Sequence, residues 1–124
     1  MKKILLVENE ADTRELYTKR LRDSGYTVIE AADGNTALQK SLTEDWDVML
    51  LDIMLPGQDG IQVLKMLKTN ERIRNKPIIV LTNLNIESVV NEIFELGADG
   101  FLVKSETTPG KIVSEIENVL AKYS

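Results

Sequence analysis

The 124-residue chain contains no cysteine and no histidine. Without cysteine there is no disulfide framework, no thiolate nucleophile and no thiolate metal site. Without histidine the commonest general base and the usual transition-metal ligand are missing, so any metal must be hard and held by oxygen, as magnesium is. Basic runs are missing as well. Twenty acids against 15 bases leave a net charge of −5, which argues against direct nucleic-acid binding, because that affinity rests largely on phosphate neutralisation. Long apolar runs are also absent: Ile4-Leu5-Leu6-Val7 breaks at Glu8, too soon for a signal peptide or a membrane span. The expected location is the cytoplasm, with no membrane contact.

With 43% hydrophobic residues the chain can bury a core without staples, and its length fits one domain, expected over residues 1–124. Short apolar runs at Ile4 to Val7, Val48 to Leu51, Ile78 to Leu81 and Phe101 to Val103 read as buried strands. Tyr26 to Ala31 carries Thr27 and Glu30 among its apolar residues, which fits a less covered edge strand. Between the runs lie segments with helical period. Thr13, Leu16, Tyr17, Arg20, Leu21 and Ser24 stop at Gly25, and Ile86, Val89, Val90, Ile93 and Phe94 stop at Gly97. Ala37 to Leu42 and Ile61 to Lys68 make two shorter helices. The last opens on Thr108-Pro109, a capping hydroxyl before a first-turn proline, and carries Ile112, Ile116, Val119, Leu120 and Tyr123 on one face.

Five strands alternating strictly with five helices predict an α/β doubly wound parallel sheet with helices on both faces. Ligands of such sheets sit beyond the carboxyl ends of the strands. Those ends carry Glu8-Asn9-Glu10, Asp52, Thr82 and Lys104. Carboxylates and an amide oxygen there suit a hard divalent cation, while the Lys104 ammonium and the Thr82 hydroxyl suit the oxygens of a phosphoryl group. With neither cysteine nor histidine present, a carboxylate is the available nucleophile, and Asp52 ends an apolar strand as such a residue must. Taken singly, Asp52 also reads as a turn residue before Pro56-Gly57 and Asn9 as a helix cap, while Thr82 reads as structural and Lys104 as a solvated lysine. Their meeting on one rim is the stronger reading.

The runs Ile4-Leu5-Leu6-Val7-Glu8-Asn9-Glu10, Asp52-Ile53-Met54-Leu55-Pro56-Gly57-Gln58-Asp59-Gly60, Ile79-Val80-Leu81-Thr82 and Gly97-Ala98-Asp99-Gly100-Phe101-Leu102-Val103-Lys104 resemble the receiver domain of two-component response regulators, of the chemotaxis-receiver type. The resemblance covers essentially the whole chain, in order. It implies a flavodoxin-like fold with strand order 2-1-3-4-5 and phosphoryl transfer from a sensor histidine kinase or phosphotransfer protein onto Asp52. It also implies magnesium held by Glu8, Asn9, Asp52 and the carbonyl of Met54, with Thr82 and Lys104 on the phosphoryl oxygens. Phe101 falls where the family keeps a switch aromatic, coupling the rim to the face of helix 4, strand 5 and helix 5, read by a downstream protein or an output domain. Its plainer reading is a core aromatic. The implied role is a phosphoacceptor, not an enzyme, with at most slow self-phosphorylation from small donors. Self-dephosphorylation is expected to be slow, because Met54 and Leu84 beside the site hold no attacking water. The chain stops at Ser124 just after the fifth helix, so no output domain is expected within it.

Two positions depart from the family pattern. Asn9 stands where receivers nearly always have a metal-binding aspartate, which implies weaker magnesium binding, slower phosphorylation and less carboxylate crowding beside Asp52. Ser105 follows Lys104 where the family has a proline after a cis bond, so the loop either accepts a strained bond or takes another path. Asn9 also motivates the rival reading, a receiver-like interaction module impaired in phosphorylation. A haloacid-dehalogenase-type phosphohydrolase needs a second acid where Met54 stands, and a flavodoxin-type carrier needs a phosphate loop where Glu8-Asn9-Glu10 is anionic.

Overall fold

The computed structural model describes residues 2–123; Met1 and Ser124, the ends of the expected 1–124 unit, lie outside the described residues. Strands β1 (Lys3–Val7), β2 (Thr27–Ala31), β3 (Val48–Leu51), β4 (Ile78–Thr82) and β5 (Gly100–Val103) alternate with helices α1 (Ala11–Asp23), α2 (Gly34–Thr43), α3 (Gly60–Thr69), α4 (Glu87–Glu95) and α5 (Pro109–Lys122). All strand pairs are parallel and the order is β2-β1-β3-β4-β5, the flavodoxin-like arrangement expected from the sequence. Among the described residues no helix is long and apolar enough to cross a membrane.

The near-continuous apolar strands are explained by what covers them. Side chains alternate between the two faces of a strand, so both faces must be apolar when both carry helices. Leu5, Val7, Met49, Leu51, Ile78 and Val80 join Ala37, Val63, Leu64, Leu67 and Ile93 in one cluster beneath α2, α3 and α4. Ile4, Leu6, Val48, Leu50, Ile79 and Leu81 join Tyr17, Leu21, Ile112, Ile116 and Val119 beneath α1 and α5. The edge strand β2 leaves Thr27, Ile29 and Glu30 half-buried, as its mixed composition suggested.

Some residues placed on inward helix faces by periodicity turn out to be exposed. On α1, Tyr17, Thr18 and Leu21 make the buried contact and Leu16 does not; Tyr123, beyond α5, is also open to solvent. Ile86 and Phe94 face solvent while Ile93 carries the contact of α4 with the core.

The end of the sheet opposite the carboxyl rim is fastened by Asp99. Its Oδ2 accepts from the Ile78 backbone N–H at 2.8 Å and from Lys68 Nζ at 3.2 Å, and its Oδ1 accepts from the Tyr123 hydroxyl. Partial desolvation of the hydroxyl end, then the hydrogen bond and charge of Asp99, push the phenol of the half-exposed Tyr123 up to about 12. Burial also raises Tyr17 and Tyr26 above the ordinary value of 10.0. A folded-state value above the unfolded one means that this contribution to stability is present below pH 10 and is lost as pH rises toward 12. Phenolate absorbance of the native protein is therefore expected to stay low at pH 10.5, with Asp99→Asn moving one tyrosine back toward 10. Three tyrosines titrating together near pH 10 would overturn this.

Candidate functional site at the carboxyl rim of the sheet

Register brings the rim residues together. Val7 is level with Leu51, so the next residues, Glu8 and Asp52, leave the sheet side by side, while Leu51 is level with Val80 and Val80 with Phe101, so Lys104 stands two residues further along the line of β5 and its long side chain reaches back across β4 to them. The Lys104 ammonium lies between both acids, 2.5 Å from Glu8 Oε1 and 3.0 Å from Asp52 Oδ2. Glu8 and Asp52 are 1% and 5% exposed, so each carboxylate would sit poorly without a counter-charge. Burial alone lowers the Lys104 pKa, but the hydrogen bonds and charges of Glu8 and Asp52 outweigh it and leave the value above 10.5. The ammonium is charged at neutral pH. Its contribution is present below 10.5 and lost only as pH climbs through the higher folded value.

Backbone donors orient the two acids. The Met54 N–H donates to Asp52 Oδ1 at 2.9 Å, and the Glu10 N–H donates to Glu8 Oε2 at the same distance. Arg14 reaches back from α1 to donate to the Glu8 carbonyl at 2.8 Å. Beyond the triad lies a pocket of about 190 Å³ lined by Asn9, Glu10, Asp52, Met54, Asn83 and Lys104. Asn9 is therefore at the pocket and not the cap of α1, a position taken by Glu10 without a side-chain bond.

Thr82 is fully buried, and its hydroxyl accepts from the Leu84 N–H at 3.4 Å; it is not among the residues lining the pocket. Asn83, which sequence reasoning passed over, lines it instead and accepts the Ser105 N–H at 2.7 Å. Its only signal was its place one residue after a strand-end threonine. Lys104–Glu106 form a short 3-10 turn, and no cis peptide bond occurs among the described residues, so the loop takes a path of its own past Ser105. Phe101 is half-buried against the cluster beneath α4.

The acids lining the pocket are Glu10 and Asp52, with Asn9 and Met54 beside them; Glu8, expected as a metal ligand, is not among the lining residues, and its Oε1 is paired with Lys104 and its Oε2 accepts the Glu10 N–H. No group of three or more acids, histidines or cysteines able to hold a metal occurs among the described residues. The donors suit a hard cation in kind, with one negative charge fewer than an aspartate at position 9 would give.

Comparison with known proteins agrees with the geometry. Residues 4–117 match the model of the response regulator receiver domain. The chain is 37% identical over 124 residues to the phosphate regulon transcriptional regulatory protein PhoB of Escherichia coli (strain K12), covering 99% of this chain and 53% of that protein. It is 35% identical over 122 residues to the transcriptional regulatory protein ResD of Bacillus subtilis (strain 168), covering 98% and 49%. It thus spans about half the length of these curated relatives. Among solved structures, the chemotaxis response regulator CheY4 of Vibrio cholerae superposes with a TM-score of 0.87 at 30% identity, over 96% of this chain and 98% of that one.

Proposed function

The chain belongs to the response regulator receiver domain family of two-component signalling, and from that premise we propose that it accepts a phosphoryl group on Asp52 and reports it through the face of α4, β5 and α5. Receiver domains in general are phosphoacceptors and bind magnesium at the phosphorylation site. The observation that carries the reading for this chain is the buried triad of Glu8, Lys104 and Asp52 opening onto the rim pocket. The whole of residues 1–124 is read as one receiver, acting in the cytoplasm.

An Asp52 carboxylate oxygen forms the new bond to phosphorus while the donor's own bond to phosphorus breaks and its electron pair leaves with the donor. The donor is the phosphohistidine of a sensor kinase or phosphotransfer protein, or a small acyl phosphate. Lys104, already 3.0 Å from Asp52, supplies positive charge to the arriving oxygens. Thr82 reaches them only by moving from its bond with the Leu84 N–H, and that movement is the natural link to Phe101 and α4. Glu8, Asn9, Asp52 and the Met54 carbonyl would hold magnesium, which supplies charge neutralisation to the phosphoryl group. Output passes to a downstream protein or to a further domain.

Intact mass after incubation with acetyl phosphate and magnesium tests this. A single phosphoryl adduct is expected, lost in Asp52→Asn and formed faster, at lower magnesium, in Asn9→Asp. No adduct in either the parent chain or Asn9→Asp would instead favour a receiver-like interaction module, the reading that Asn9 itself recommends. Adduct formation equally fast in the parent and Asn9→Asp would sink the metal assignment.

A further inference from the structure

Asn83 and Ser105 lie 22 residues apart, on the loops that leave β4 and β5, and one hydrogen bond joins those loops at the rim pocket. Ser105 offers a backbone N–H, which can only donate, so the Asn83 atom facing it is the carboxamide oxygen. At 2.7 Å the contact is at the short end of the range for such a donor. The N–H belongs to the same peptide group as the Lys104 carbonyl, so the bond holds the backbone from which the Lys104 side chain springs. The turn itself is a weak hold. It is a single 3-10 turn over Lys104–Glu106, closed by the Thr107 N–H on the Lys104 carbonyl at 3.5 Å, and Ser105 and Glu106 are exposed.

Before transfer, Glu8 and Asp52 together define where the Lys104 ammonium sits. During transfer the ammonium follows the oxygens arriving on Asp52, and its place then depends on where its backbone is held. We propose that Asn83 is a positioning residue for phosphoryl transfer, its carboxamide oxygen fixing the Ser105 N–H so that Lys104 is presented to the incoming phosphoryl group. Asn83 directly follows Thr82, whose hydroxyl accepts the Leu84 N–H, so the same bond ties together the two side chains expected on the phosphoryl oxygens. A proline at position 105 would have no N–H to give, and the hold would be lost. This role presupposes Asp52 as the phosphoacceptor.

Two variants of the full chain test it: Asn83→Leu keeps the bulk and removes the acceptor, whereas Asn83→Asp keeps an acceptor oxygen. Asn83 is exposed, so neither disturbs the core. Rates of adduct formation are measured over a range of acetyl phosphate concentrations with magnesium in excess. Separately, with no phosphoryl donor present, acetic anhydride labelling of Lys104 is measured against the exposed Lys111 and Lys122 in the same sample. Asn83→Leu is expected to lower the limiting rate about fivefold, the worth of one neutral hydrogen bond, with little change in the half-saturating acetyl phosphate. It should also raise the labelling of Lys104. Asn83→Asp should restore both, its extra charge showing only as a higher half-saturating concentration of the anionic donor. In a Lys104→Met background, Asn83→Leu should cost nothing further. An undiminished limiting rate in Asn83→Leu, equal loss of it in both variants, or a further loss of the same size without Lys104 would overturn the proposal. No adduct in the parent chain would overturn the phosphoacceptor reading instead, and labelling then decides the hold on Lys104: raised in Asn83→Leu it stands, unchanged it falls.

Discussion

Gly60→Ala is expected to lower the free energy of unfolding by about 3 kcal/mol, the upper end of what overpacking a well-packed site costs. A Cβ at Gly60 would overlap the Ile53 carbonyl oxygen and the Ile53 Cα. Both are backbone atoms, so no side-chain rotation relieves the contact. Either the start of α3 or the loop after β3 must move, and that loop carries Asp52 and Met54. Asp59, whose carboxylate caps α3 through the N–H groups of Ile61 and Gln62, would be displaced with it. Gly110→Ala in α5 is the control: the nearest atom to its new Cβ is 3.8 Å away, and removing backbone freedom from the unfolded chain should stabilise by up to about 1 kcal/mol. Urea midpoints of the two variants should therefore move in opposite directions. An unchanged midpoint for Gly60→Ala would show that α3 is not seated on Ile53 as described.

Lys104→Met should cost about 3 kcal/mol at pH 7, the lower end for breaking a buried pair because the site opens onto a pocket. The substitution keeps the packed stem and removes only the ammonium. Glu8 and Asp52 are then left side by side, nearly buried, with their backbone donors and no cation. Because one added proton relieves the repulsion, the deficit is expected to shrink between pH 7 and pH 5. Glu8→Gln combined with Lys104→Met should recover part of the loss at pH 7, which a simple packing defect would not do. Denaturation of the parent, single and double variants at both pH values measures this; a single variant as stable as the parent at pH 7 in low salt would contradict it.

The rim was legible in the sequence because each of its residues ends a strand, and parallel strands all end on one side. Asp52 closes Val48 to Leu51, and the observed register places it beside Glu8 at the carboxyl ends of two neighbouring parallel strands. The sequence assigned Lys104 to phosphoryl oxygens, but its pairing with both acids was not legible. A strand-end lysine is compatible with solvent, and only the depth of the two acids draws the ammonium between them. Arg14 and Asn83 went unseen for a related reason, since their contacts depend on the rotation of α1 and on the loop path at Ser105. Periodicity gave the apolar stripes of α1 and α4 correctly but not their partners. Leu16, Ile86 and Phe94 belong to those stripes yet are exposed, and Tyr17, Leu21 and Ile93 make the buried contact.

Asp99 immediately precedes β5 and is tied to Lys68 of α3, to the first residue of β4 and to Tyr123 just beyond α5. The opposite end of β5 runs into Lys104, whose ammonium is held by two carboxylates and whose carbonyl accepts from Thr107, while the next residue, Ser105, donates to Asn83; on the proposed reading the charge of the two carboxylates changes when Asp52 becomes an acyl phosphate. The strand is a lever whose foot is tied by fixed backbone and side-chain bonds and whose tip is tied through a charge. A displacement at the tip cannot be absorbed by sliding β5 lengthwise against β4, so it turns sideways, into Phe101 and the helix beside it.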